Sequence, residues 1–274
     1  MIMKLESAHI YYEQYGEGVP LIFLHGYHID NKCLSIPVES LIHEGNQFRR
    51  IYPDLPGMGR TILKERVDST DELFRIILQF IDQITDNGEF AVAGYSYGGY
   101  LARALVKARQ DRIKGMFLLC PVVIPEQAGR LIPDFRVITE DKEFLSTLNK
   151  EDRDFFSHSA VIQTERVYKR VKEEIMEPFK LADREMLKNL QHDAYSFEDP
   201  IDNLNIFFDG PVQFLAGRQD SIVGYEDITS IFEDYPNGEM TVLNGAGHNL
   251  QIEREKAFTR IFRNWMKRVL FYCS

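Results

Sequence analysis

Six short apolar runs, each closed by glycine, proline or a polar loop, set the strongest limit on how this chain can fold. Val19-Pro-Leu-Ile-Phe-Leu-His-Gly26 and Phe90-Ala-Val-Ala-Gly94 lack any polar and apolar alternation. A strand reads that way when both its faces are covered, as in a parallel sheet lying between helices. Phe48-Arg-Arg-Ile-Tyr52, Lys114-Gly-Met-Phe-Leu-Leu-Cys120, Gly210-Pro-Val-Gln-Phe-Leu-Ala216 and Glu239-Met-Thr-Val-Leu243 read as further strands. Residues 10–15, rich in aromatics and followed by Gly16-Glu-Gly18, predict an earlier antiparallel strand joined to the first buried run as a hairpin.

Helical patterns separate the runs. Ser69 with Glu72 three residues on makes a capping box, and Leu73, Ile77, Phe80 and Ile84 supply an apolar stripe behind it. Leu101, Ala104, Leu105 and Ala108 mark one face of a second helix, and Phe258, Ile261, Phe262, Trp265 and Val269 mark a terminal one. Strands alternating with helices define an α/β class. The stretch 122–208 between the fourth and fifth runs is too long for one crossover helix. It holds 12 Lys/Arg against 18 Asp/Glu, and Val167, Val171 and Ile175 recur at helical spacing, so a small helical subdomain is expected there.

Charge and cysteine usage narrow the function classes. A net charge of −10 and a pI near 5.3 argue against a phosphate-binding surface, so nucleic acid is not an expected partner. Cys33, Cys120 and Cys273 lie far apart and form no C-x-x-C pair, which predicts neither a disulfide framework nor a zinc cluster. The start has no basic segment leading into an apolar run, and no stretch approaches the ~20 apolar residues of a membrane span. A soluble cytoplasmic protein is expected.

Gly94-Tyr-Ser-Tyr-Gly98 matches G-x-S-x-G between a predicted strand and a predicted helix. A tight turn in that position strains the backbone and leaves no room for side chains beside the serine, so both flanking glycines have a physical reason. Ser96 is the candidate nucleophile. A serine hydroxyl needs a base within hydrogen-bond reach, and the base needs an orienting carboxylate. Gly245-Ala-Gly-His248 offers His248 directly after the last strand, and Ala216-Gly-Arg-Gln-Asp220 offers Asp220 after the strand before it. Asp227 and Asp234 are weaker substitutes for the acid. Two backbone N–H donors are needed where charge develops, and Tyr27 and Tyr97 are the candidates for this oxyanion hole. His25 reads as a structural hydrogen-bonder, Arg60 as a solvated side chain and Cys120 as a small buried residue.

His25-Gly26, Asp54-Leu-Pro-Gly57, the Gly94 to Gly99 elbow, Gly217-Arg-Gln-Asp220 and Gly247-His248 occur in an order that resembles the α/β-hydrolase family over nearly the whole chain. The resemblance implies an α/β-hydrolase fold with a mostly parallel central sheet of about eight strands flanked by helices. It implies a core of residues 1–121 and 209–274, with 122–208 as an inserted helical cap over the site. It implies hydrolysis of an ester, thioester, amide or related bond through an acyl-enzyme, without fixing the substrate. The expectation taken here is a serine hydrolase cleaving a small carboxylic ester, without metal or organic cofactor, as a monomer or homodimer acting on a small-molecule acyl substrate. A thioesterase, a carbon–carbon bond hydrolase, an acyltransferase and a non-catalytic binding member stay open. Ser96 in place of the family's alternative Asp speaks against dehalogenases and epoxide hydrolases. Tyr27, Tyr95, Tyr97 and Asn249 depart from the residues usual in haloperoxidases, carbon–carbon bond hydrolases and iminopeptidases. In the cap, Phe144, Phe155, Phe156, Tyr168 and Phe179 are candidates to line an acyl pocket with Tyr95, or else they pack the cap's own helices.

Overall fold

The six apolar runs become neighbouring strands of one nine-stranded sheet, the last of them at its edge. The computed structural model describes residues 1–42, 47–201 and 208–272; Cys273 and residues 202–207 of the inserted stretch lie outside the described residues. In chain order the elements are β1 (Ile2–Lys4), β2 (Ala8–Tyr15), β3 (Val19–Leu24), α1 (Lys32–Glu39), β4 (Phe48–Pro53), β5 (Ile62–Leu63) and α2 (Thr70–Ile84). Then come β6 (Phe90–Tyr95), α3 (Tyr97–Arg109), β7 (Ile113–Leu119), β8 (Thr139–Glu140), α4 (Lys142–Thr147), α5 (Lys150–Ser159) and β9 (Ile162–Gln163). The chain continues with α6 (Glu165–Val171), α7 (Glu177–Phe179), α8 (Arg184–Asp193), β10 (Val212–Gly217), β11 (Gly238–Leu243), α9 (Leu250–Glu253) and α10 (Glu255–Tyr272). A π-helical turn, Lys172–Met176, links α6 to α7.

The sheet runs β1-β2-β4-β3-β6-β7-β10-β11, with β5 on β2; every neighbour pair from β4 to β11 is parallel, and β1, β2 and β5 are antiparallel. All six residues of β6 and of β10 are buried, which accounts for their largely apolar character; the exception in β10, Gln213, donates its amide to the Phe214 carbonyl at 2.9 Å. The expected hairpin between residues 10–15 and the next run is not formed. Tyr12 pairs with Pro53 and Tyr15 with Arg50, so β4 lies between β2 and β3. The glycines at 16 and 18 serve a crossing over β4 instead of a tight hairpin turn.

Ser69 caps α2 by accepting from the Glu72 N–H at 3.2 Å, while the Glu72 carboxylate reaches back to the Asp68 N–H at 2.8 Å, one residue before the reciprocal bond of a capping box. Terminal helix α10 buries Phe258, Phe262, Trp265, Met266 and Val269, and the Trp265 indole N–H donates to the Pro211 carbonyl at 3.1 Å. Helix α1 buries Cys33, Leu34, Pro37 and Val38, with Pro37 inside the helix. A proline has no N–H to give the carbonyl four residues back, here Cys33, and that carbonyl accepts from Gln251 Nε2 at 3.4 Å.

Registers align the carboxyl ends of the parallel strands: Leu24 stands beside Gly94, Tyr95 beside Leu119, and Leu119 beside Leu215. Loops leaving β3, β6, β10 and β11 therefore open at one edge of the sheet, where open α/β sheets bind ligands. Helices α4 to α8 and the β8–β9 ladder all fall between β7 and β10.

Candidate active site

Ser96 sits in the turn from β6 to α3 at φ +55° and ψ −116°, a strained conformation for a residue with a side chain. Its neighbours explain the two glycines. A Cβ on Gly98 would lie 1.9 Å from the Leu24 carbonyl oxygen, and one on Gly94 would lie 2.3 Å from that of Gly98. The Ser96 backbone is pinned by its N–H to the Leu119 carbonyl at 3.0 Å and by its own carbonyl to the Val122 N–H at 3.0 Å.

The three residues taken from separate loops meet here. His248 Nε2 is 3.0 Å from Ser96 Oγ, and His248 Nδ1 is 2.8 Å from Asp220 Oδ2. Asp220 is fully buried, and its other oxygen accepts from the N–H groups of Ile222 at 2.9 Å and Val223 at 3.2 Å. An ionised carboxylate only accepts, so Nδ1 carries the proton and Nε2 is left free to accept from the serine hydroxyl. Asp227 is committed elsewhere, since both its oxygens receive the Leu131 N–H at 3.2 and 3.3 Å.

Tyr27 and Tyr97 stand beside the serine with rings 4.9 Å apart. The Tyr97 ring is buried and turned from the cavity. Its phenol bonds Thr70 Oγ1 at 2.8 Å, and because Thr70 donates to the Tyr195 carbonyl at 2.8 Å, Tyr97 is the donor. The Tyr27 phenol donates to the Leu187 carbonyl of α8 at 2.7 Å. His25 is a structural hydrogen-bonder: Nδ1–H donates to the Gly26 carbonyl at 2.7 Å and Nε2 accepts from the Leu55 N–H at 2.8 Å, and burial lowers its pKa to about 4. Asp54 holds the following turn by accepting from Asn31 and from the Arg60 N–H. Arg60 is half exposed but not simply solvated, because its guanidinium lies 4.3 Å over the Tyr11 ring.

A cavity of about 360 Å³ opens over Ser96 and His248. Its walls include Tyr95, Val122, Phe155, Ile175, Phe179 and Tyr195, and among the described residues no carboxylate lines it. Of the aromatic candidates, Tyr95, Phe155 and Phe179 reach the cavity. Phe144, Phe156 and Tyr168 do not. The Tyr168 ring lies 5.4 Å from both phenylalanine rings, tilted against Phe144 and edge-on to Phe156, and its phenol bonds Asp152 at 2.6 Å, so these three make the inserted segment's own core. Tyr195, Gln191, His158 and Arg130 also line the cavity and went unread in the sequence, since no motif or spacing marks them. Cys120 is buried at φ +40°, and its thiol, Asp220 and His248 offer atoms within 4.8 Å of one another. Burial pushes that thiol well up and keeps it protonated, and the imidazole and carboxylate are already bonded to each other. The set therefore fits a hydrogen-bonded relay better than a metal shell.

The sequence model of the α/β hydrolase fold matches residues 19–255, and the chain belongs to that family. An α/β superfamily hydrolase from Oenococcus oeni PSU-1 superposes with a TM-score of 0.86 at 30% identity, covering 95% of this chain and 96% of that one. The chain is also similar, at 23% identity over 94% of its length and 99% of the relative's, to a pimeloyl-[acyl-carrier protein] methyl ester esterase of Legionella pneumophila strain Paris. A thermophilic esterase from Thermogutta terrifontis shares the fold with a TM-score of 0.70 at 20% identity, covering 98% and 99%. No helix among the described residues is long and apolar enough to cross a membrane.

Proposed function

We propose that this protein is a serine hydrolase that cleaves small carboxylic esters, with residues 122–208 acting as a cap over the site. The observation that carries the reading is the continuous relay Asp220–His248–Ser96, with bonds of 2.8 and 3.0 Å, under a mostly apolar cavity of about 360 Å³. The methyl ester esterase named for the Legionella relative supports the bond type.

In this mechanism Ser96 Oγ attacks the ester carbonyl while His248 Nε2 takes its proton, and Asp220 stabilises the imidazolium. The carbonyl electron pair moves onto oxygen, toward the Tyr27 and Tyr97 backbone N–H groups. Collapse breaks the C–O bond, His248 returns the proton to the departing alcohol, and an acyl-Ser96 ester remains. Water then repeats the sequence, with His248 as base, and releases the acid.

Intact-mass spectrometry after fluorophosphonate treatment, comparing the parent protein with Ser96→Ala, tests the nucleophile. One adduct on the parent and none on the variant is the expected result. A folded parent that stays unlabelled refutes the reading, and p-nitrophenyl esters of increasing acyl length then size the cavity.

A further inference from the structure

His248 must satisfy two partners at once from a loop with little stiffness of its own. Gly245 stands at φ +71° and Gly247 directly precedes the histidine, so the local chain resists displacement weakly. The loop is held from outside. Glu253, the last residue of α9, is 5% exposed, and one carboxylate oxygen accepts the Gly247 N–H at 2.6 Å. The other accepts the N–H of Val161 at 2.7 Å and of Ile162 at 3.4 Å, in the proposed cap. No lysine or arginine pairs with Glu253 among the described residues, so these three donors are what offsets part of the cost of its burial. On the other side of the histidine, Asn249 Nδ2 donates to the Ser159 carbonyl at 2.9 Å, again in the cap.

We propose that Glu253 is a positioning residue for His248: its carboxylate ties the Gly247 turn to the Val161–Ile162 edge and so fixes the imidazole between Asp220 and Ser96. The inference rests on the hydrolase reading above. Only a carboxylate suits the place. A glutamine offers one acceptor and one NH₂, so whichever donor meets the NH₂ loses its bond and faces another N–H. An aspartate keeps both acceptors but is one methylene too short to span the two elements. The inserted segment thereby orients the base as well as roofing the cavity.

The test compares the parent with Glu253→Gln and Glu253→Asp by steady-state kinetics on p-nitrophenyl butyrate and by the low-field ¹H resonance of the His248 Nδ1–H. Expected for folded Glu253→Gln is a kcat about 10- to 100-fold lower with KM within about threefold, and a shifted or broadened resonance. Glu253→Asp should fail in the same two readouts and decides the matter if the glutamine variant does not fold. A kcat and resonance equal to the parent's, even with a lower Tm, would make Glu253 a structural pin and overturn the inference alone. A parent without turnover or fluorophosphonate labelling overturns the hydrolase reading instead, and the resonance still reports whether Glu253 holds the ring.

Discussion

Acidification should weaken the fold through His25, by an amount that follows from the ring's surroundings. The ring is fully buried, and acceptance of the Leu55 N–H at Nε2 requires its neutral form. Burial lowers its pKa from 6.5 to about 4. Between those values the unfolded chain takes up a proton that the folded chain refuses. The contribution is therefore whole above pH 6.5 and is lost as pH falls toward 4, a change of about 3 kcal/mol at 1.36 kcal/mol per pKa unit. Glu174 works against it. Burial raises that carboxyl from 4.5 to about 7, so the folded state keeps a proton the unfolded state has released, and stability falls as pH rises through that interval. The two slopes oppose, and the parent's pH curve by itself would hide both. His25→Gln removes one, since its amide oxygen can still accept from Leu55 without titrating. Urea unfolding of both proteins in half-unit steps from pH 4 to 7 isolates the effect. The stability difference between parent and variant should shrink or reverse by about 3 kcal/mol toward pH 4. Curves that fall in parallel would refute the argument.

Other expectations follow from the same contacts. Glu174→Gln should gain about 3 kcal/mol on the parent between pH 4.5 and 7, read by the same urea titration, and no gain would mean that the Arg170 pairing outweighs burial. Asp220→Asn should lower kcat on the order of 10⁴-fold while Asp227→Asn stays near the parent, because only Asp220 touches the imidazole. Phe156→Ala should cost about 3–5 kcal/mol of stability without moving the preferred acyl length of p-nitrophenyl esters. Phe155→Ala, on the cavity wall, should move that preference toward longer acyl chains, and an unchanged profile would place the acyl group elsewhere.

Central features of the fold were legible because their physical causes are local. Strands covered on both faces are largely apolar, and a turn with 1.9 Å of clearance at Gly98 tolerates only glycine, so β3, β6, β10 and the serine's elbow show in the one-dimensional text. Pairing partners are set by distant chain. The same aromatic run that suggests a hairpin forms β2 beside β4, since register and order depend on residues as distant as Pro53 and Leu63. Aromatic side chains in the inserted segment illustrate the same limit. Phe155 and Phe156 are adjacent in sequence, yet they point to different surroundings because α5 turns one to the cavity and the other to Tyr168.

From the sequence by itself came the alternating α/β architecture, the residues proposed here as nucleophile, base and acid, and the family. These depend on residue type, spacing and chain order. Only the tertiary structure decided that Asp220 rather than Asp227 reaches His248, which aromatics line the cavity, and that Glu253 joins the histidine loop to Val161. Those outcomes turn on distances of 2.6 to 3.0 Å between residues far apart in the chain, and such distances arise only when the packed sheet and the segment over it bring the loops together.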